Sequence, residues 1–113
     1  MQTSAKIEGR LILFTQGFMA LSNQYAEACG NMVKQAIHNL KTPAPDFLVF
    51  SPEHKGSPTF EDGGRTLRMG SFGSPEKVYA KLDDYGSPEA LSENAGQTVG
   101  TQYALTLMLA EEY

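Results

Sequence analysis

Residues 18–41 carry one helical stripe. At about 100° per residue, Phe18, Leu21, Tyr25, Ala28, Cys29, Met32, Val33, Ala36 and Leu40 share one arc, and Gln24, Glu27, Asn31, Lys34, Gln35 and His38 fill the other. The pattern predicts a single amphipathic helix covering a sheet. Gly17 supplies the freedom for a tight reversal from the preceding strand into that helix. Gly30, inside it, costs about 1 kcal/mol relative to Ala, which suggests close approach by another element. The helix must end before Pro43 and Pro45, because a proline disfavours helical geometry in the residue ahead of it.

Either side of this helix the pattern changes to period two. Residues 6–16 read as one strand, with Ile7, Leu11 and Leu13 alternating with Glu8, Arg10, Ile12 and Phe14, the later half buried on both faces. The continuous apolar run Phe47-Leu48-Val49-Phe50 reads as a central strand. Residues 51–64, rich in Pro, Gly and charge, read as a loop or weak hairpin limb around Asp62-Gly63-Gly64. In residues 65–69, Leu67 and Met69 point one way and Thr66 and Arg68 the other. Residues 101–110 alternate Tyr103, Leu105, Leu107 and Leu109 with Gln102, Ala104, Thr106 and Met108, which favours a buried strand over a helix.

Ser-Pro-Glu recurs at residues 51–53, 74–76 and 87–89. Ser is a good N-cap, Pro fits the first turn and Glu complements the positive end of the helix dipole. The copies at Ser74 and Ser87 follow glycine, so each is expected to open a helix, one running through Val78, Tyr79 and Leu82 to Gly86, the other ending near Gly96. The resulting order is strand, helix, strand, strand, helix, short helix, strand. It resembles a ferredoxin-like split β-α-β arrangement, an α+β fold with an antiparallel sheet and helices on one face.

Composition narrows the classes of function. A chain of 113 residues, 41% hydrophobic, matches one domain spanning residues 1–113. A net charge of −4 with 9 scattered basic residues makes nucleic acid an unlikely partner, since phosphate binding needs clustered Lys and Arg. No apolar run approaches the ~20 residues of a membrane span, and the N-terminus lacks the pattern of a secretory signal, so an intracellular, cytoplasmic protein is expected. Cys29, the only cysteine, excludes an internal disulfide and reads as a small buried side chain.

The best local candidate for chemistry is the stretch 68–77, read as a strand passing through a glycine turn into a helix N-terminus. There Arg68, Gly70, Ser71, Gly73, Ser74 and Lys77 could hold an anion, with Arg65 adding charge. The glycine spacing matches neither the phosphate-loop nor the dinucleotide pattern. His54 lies among Asp46, Glu53, Glu61 and Asp62, without the recurring spacing of zinc or calcium ligands. No nucleophile elbow or linked Cys, His and acidic set occurs. No metal, cofactor or catalytic residue is therefore expected. The strand aromatics Phe14, Phe47, Phe50 and Tyr103 read as core.

Two readings of function follow. The first is a non-enzymatic association protein, either a homo-oligomeric assembly component or a partner-binding adaptor or inhibitor, with sheet extension at residues 65–69 or 101–110 if either is an edge. The second rests on element order, which resembles the dimeric α+β barrels. That resemblance implies a small-molecule-binding or cofactor-free enzyme domain, with Tyr25, Met32 and Tyr103 lining a cavity between helix and sheet.

Overall fold

A computed structural model describes residues 3–7 as backbone and residues 9–113 in full. The chain folds as an α+β structure around one mixed sheet in the order β1-β2-β7-β6-β3-β5-β4. The strands are β1 (Thr3–Ile7), β2 (Arg10–Phe14), β3 (Phe47–Ser51), β4 (Thr59–Glu61), β5 (Thr66–Gly70), β6 (Val78–Asp84) and β7 (Tyr103–Leu109). The helices are α1 (Gln16–Gln24), α2 (Ala26–Asn39) and α3 (Pro88–Ala95).

The alternation in β5 and β6 places Leu67, Met69, Val78, Ala80 and Leu82 on one sheet face. Ile12, Leu48, Phe50, Leu105 and Leu107 join them there, and Phe18, Leu21, Met32, Ala36 and Leu40 cover them from α1, α2 and the end of α2. This is the main core. The opposite face is treated differently along its width. At one corner Leu91 of α3 packs against Leu11 and Ala104, a pair in register across β2 and β7. Away from that corner the face is half open.

Several expectations need correcting. The single helix over 18–41 is two, broken at Tyr25, whose φ of −128° and ψ of 54° are not helical. The apolar arc is otherwise as expected, and the break allows both segments to reach one core; Tyr25 itself is 37% exposed. Gly30 has no heavy atom within 4 Å of the position its Cβ would take, so no close approach explains it.

The single strand over 6–16 is a hairpin, with β1 antiparallel to β2 and Gly9 at φ +75° in the turn. The side chains of the early half lie outside the described residues. In β2, burial of both Leu11 and Ile12 bears out the two-faced burial. Arg10, on the same strand, donates to the carbonyls of Ile37 and Leu40 at 2.8 Å each, satisfying two acceptors left over at the end of α2.

The helix expected from Ser74 to Gly86 does not form. Val78, Ala80 and Leu82 alternate with Tyr79, Lys81 and Asp83, and the segment pairs antiparallel with β3 on one side and β7 on the other. With that helix replaced by a central strand, the antiparallel ferredoxin-like sheet is replaced by a mixed one, in which β2 runs parallel to β7 and β3 parallel to β5. Helices lie on both faces, not one, because Leu11 and Ile12 each need cover on opposite sides. Neither β5 nor β7 is an edge; β1 and β4 are.

The helix at Ser87 forms as expected, with the Ser87 hydroxyl accepting from the Ala90 N–H at 3.1 Å and Gly96 ending it at φ +72°. The strands at 47–50, 65–69 and 101–110 are also borne out, as is the weak hairpin limb, now β4 pairing with β5. Among the described residues no helix is long and apolar enough to cross a membrane.

Candidate functional site

The half-open face gathers aromatic side chains from strands that the sequence separates widely. Phe47 of β3 and Tyr79 of β6 lie 5.0 Å apart between ring centroids. Tyr113, beyond β7, closes a trio, 5.5 Å from Phe47 and 5.6 Å from Tyr79 in edge-on contacts at 65° and 86°. Together with Asp46, Asp62, Arg65, Thr66 and Lys81 they line a depression of about 340 Å³. Edge-on aromatic contacts of this kind stabilise by about 0.5–1.5 kcal/mol beyond burial. Tyr113 nevertheless remains 69% exposed.

Charge rings this aromatic centre as ion pairs. Arg65 reaches Asp46 at 3.4 Å, Arg68 donates to both carboxylate oxygens of Glu61 at 2.8 and 3.3 Å, and Lys81 meets Asp83 at 3.2 Å. Lys81 also stands 6.0 Å from the Tyr113 ring centroid, at the outer reach of a cation–π contact. Hydrogen bonding to Arg68 holds the Glu61 carboxyl below its ordinary range, and the bond to Asp83 raises the Lys81 ammonium above its own. Each of the three cations is thus matched by an acid, which leaves little free positive potential for a phosphate chain.

The residues proposed for anion binding end up at the loop side of β5 and β6. No helix begins at Ser74, so the dipole that was to attract an anion is not there. Arg68 is committed to Glu61. The hydroxyls of Ser71 and Ser74, both buried, serve their own turn: Ser71 donates to the Ser74 carbonyl at 2.6 Å, and Ser74 accepts from the Glu76 N–H at 3.1 Å. Gly73, at φ +96°, makes the turn possible, and Gly70 ends β5, with the His54 carbonyl 3.5 Å from where its Cβ would lie. Lys77 is half-buried just ahead of β6.

The loop charges are dispersed as well. His54 contacts the Ser57 carbonyl at 2.9 Å, and Glu53 accepts from the Ser51 hydroxyl at 2.8 Å. No group of three or more His, Cys, Asp or Glu side chains among the described residues is arranged to hold a metal ion.

Tyr25, Met32 and Tyr103 do not meet in one cavity. Tyr25 is exposed at the helix break, Met32 is fully buried in the core, and Tyr103 borders a separate depression with Gly9, Arg10, Lys41, Thr42 and Leu82. Cys29 is 2% exposed, and burial pushes its thiol up, which favours the unreactive protonated form. It lines an apolar groove of about 280 Å³ between α1 and α2 with Phe14, Phe18 and Val33.

Reading Phe47 as core missed half of its role, and Tyr79, Lys81 and Tyr113 were not singled out. The signal for Tyr79 and Lys81 lay in the period-two alternation of residues 78–84, where they occupy the positions facing away from Val78, Ala80 and Leu82; Tyr113 carries no such signal. Comparison of the chain with protein-family models, with curated proteins and with solved structures finds no match in any of the three.

Proposed function

We propose that this chain is a non-enzymatic association protein that pairs with a second copy of itself through the half-open sheet face. The observation that carries this reading is the aromatic trio Phe47, Tyr79 and Tyr113 at the centre of a face rimmed by ion pairs of both signs. A contact between identical patches requires each patch to complement itself. A rim of one sign would repel its copy, whereas neighbouring Arg65–Asp46, Arg68–Glu61 and Lys81–Asp83 pairs can exchange partners across a two-fold axis. Aromatic centres with polar rims are the usual anatomy of protein interfaces.

Size argues for a weak, reversible dimer. At ~4.8 Å between strands and ~3.3 Å per residue, the uncovered face measures roughly 20 by 20 Å. That is below the ~800 Å² per partner of a standard interface.

Sedimentation of the full chain across a concentration series tests the reading. The expected result is a monomer–dimer equilibrium, shifted about tenfold or more towards monomer by Tyr113→Ala. Phe60→Ala removes an equally exposed aromatic, 65% accessible, on the edge strand β4 with its register partner Leu67 in the core on the other face, and should leave the equilibrium unchanged. A wild-type chain that stays monomeric at millimolar concentration, or a dimer indifferent to Tyr113→Ala, overturns it.

A further inference from the structure

Tyr113 is placed by its neighbour. The chain leaves β7 at Leu109 and makes a single 3₁₀ turn over Ala110–Glu112. Glu112 then reaches across the end of the sheet to α1, which starts almost a hundred residues earlier in the sequence. Its carboxylate accepts from the Thr15 hydroxyl at 2.6 Å, from the Gly17 N–H at 2.9 Å and from the Leu109 N–H at 2.8 Å.

The three donors have different jobs. Thr15 is the N-cap of α1, its hydroxyl oxygen accepting from the Phe18 N–H at 3.3 Å while its proton goes to Glu112. Gly17 N–H is one of the first-turn amides that have no partner within the helix, and a carboxylate there also meets the positive end of the dipole. Leu109 N–H closes the 3₁₀ turn itself, so one carboxylate ties the turn to α1 and also ties its two ends together. On the other side of this turn Tyr113 lies against Phe47 and Tyr79.

Gly17 explains how the carboxylate comes so close. A Cβ at residue 17 would stand 2.6 Å from Glu112 Cδ and Oε1 and 2.7 Å from Oε2. The sequence makes Gly17 the pivot of a strand-to-helix reversal, yet it sits inside the first turn of α1, and the space above it is what the structure uses. The atoms it would meet are the far end of a flexible side chain, so an alanine there displaces the carboxylate and leaves the helix intact.

We propose that Glu112 acts as a latch, a positioning residue that docks the turn after β7 on the α1 N-terminus and thereby sets Tyr113 in place as the third wall of the aromatic face. Its consequence for pairing rests on the association reading above; the latch itself rests on the contacts of Glu112 alone. Two variants release it from opposite sides. Glu112→Ala removes the acceptor, and Gly17→Ala expels it while leaving the sequence of the turn unchanged.

The experiment is performed on the full chain. Contacts between the Tyr113 ring and the Phe47 and Tyr79 rings are read by nuclear Overhauser effects in the dilute monomer, and self-association is measured separately by sedimentation. Both variants should lose the Tyr113 ring contacts and weaken pairing by about tenfold, the order expected for loss of one aromatic anchor. Glu112→Gln keeps the volume of the side chain but sets an amide N–H against one of its three donors, so it should lose the ring contacts part-way, whereas a merely space-filling role for residue 112 predicts that they persist unchanged. Ring contacts that persist in both Glu112→Ala and Gly17→Ala overturn the latch whatever happens to pairing. Loss of the ring contacts with pairing unchanged supports the latch and removes the association reading instead.

Discussion

The two faces of the sheet are built from alternate residues of the same strands, yet only one is sealed. Beneath α1 and α2, Ile12, Leu48, Phe50, Val78, Ala80, Leu105 and Leu107 have no exposure to solvent. One residue further along β3 and β6, Phe47, Tyr79 and Lys81 are half-buried and meet Tyr113. A period of two carries both outcomes, because shifting by one residue exchanges faces. What separates them is chemistry. The buried part of the sealed face is apolar throughout, with Phe14 and Tyr103 at its margin, whereas the open face sets Tyr79 and Tyr113, whose hydroxyls tolerate water, among charges that are paired.

That contrast predicts unequal responses to substitution. On the sealed face Phe50→Ala should cost about 3–5 kcal/mol, since it removes a fully buried ring from a packed core. At this chain length each kcal/mol shifts thermal unfolding by roughly 4 °C. An effect below 1 kcal/mol at Phe50 would break the contrast. At the corner where the open face is covered, Ser87→Ala removes the cap of α3 and should cost about 1 kcal/mol. Hydrogen exchange should show that loss confined to α3 and its neighbours Leu11 and Ala104; a spread to α1 and α2 would mean that the two faces are not independent.

The smallest effect concerns the latch. Burial raises the Glu112 carboxyl, but the bonds from Thr15, Leu109 and Gly17 outweigh it and hold its pKa below the usual carboxylate value. A lowered folded-state pKa means that the latch contributes fully above the ordinary carboxylate range and is lost as pH falls through that lowered value. Its partners from α1 and the end of β7 are a hydroxyl and two amides, none of which titrates there. The Gly17 amide proton should report the transition by its chemical shift, and a Gly17 amide that is insensitive to acid contradicts the pairing.

Much of the fold was legible because period and burial agree. The arc from Phe18 to Leu40 and the strands at Phe47, Leu67 and Tyr103 all carry patterns that one element satisfies best. The break at Tyr25 was not legible, since Ser22, Asn23 and Gln24 contain neither glycine nor proline to mark it. The two Gly-Ser-Pro-Glu copies show the limit of local signals. At Ser87 the following Ala-Leu-Ser-Glu-Asn-Ala suits a helix, and the hydroxyl accepts from the amide three residues on. At Ser74 the same four residues precede Lys-Val-Tyr-Ala-Lys-Leu, the hydroxyl accepts from the amide two residues on, and a central strand follows. Two sheet neighbours decided that segment, and neither is local in sequence.

The aromatic face was illegible for the same reason. Phe47, Tyr79 and Tyr113 share no spacing, and only the register of β3 with β6 and the return of the chain after β7 bring them together. Once Val78 to Asp84 is known to be a strand, Tyr79 and Lys81 stand out at once as the polar-tipped positions of a half-open face.

Sedimentation of the wild-type chain beside Tyr113→Ala is the most direct test of that face as a place of self-association. A concentration-dependent dimer in the wild type, weakened about tenfold in the variant while thermal stability is kept, is the predicted result. A wild-type chain that remains monomeric throughout, or a dimer of equal strength in both, contradicts it.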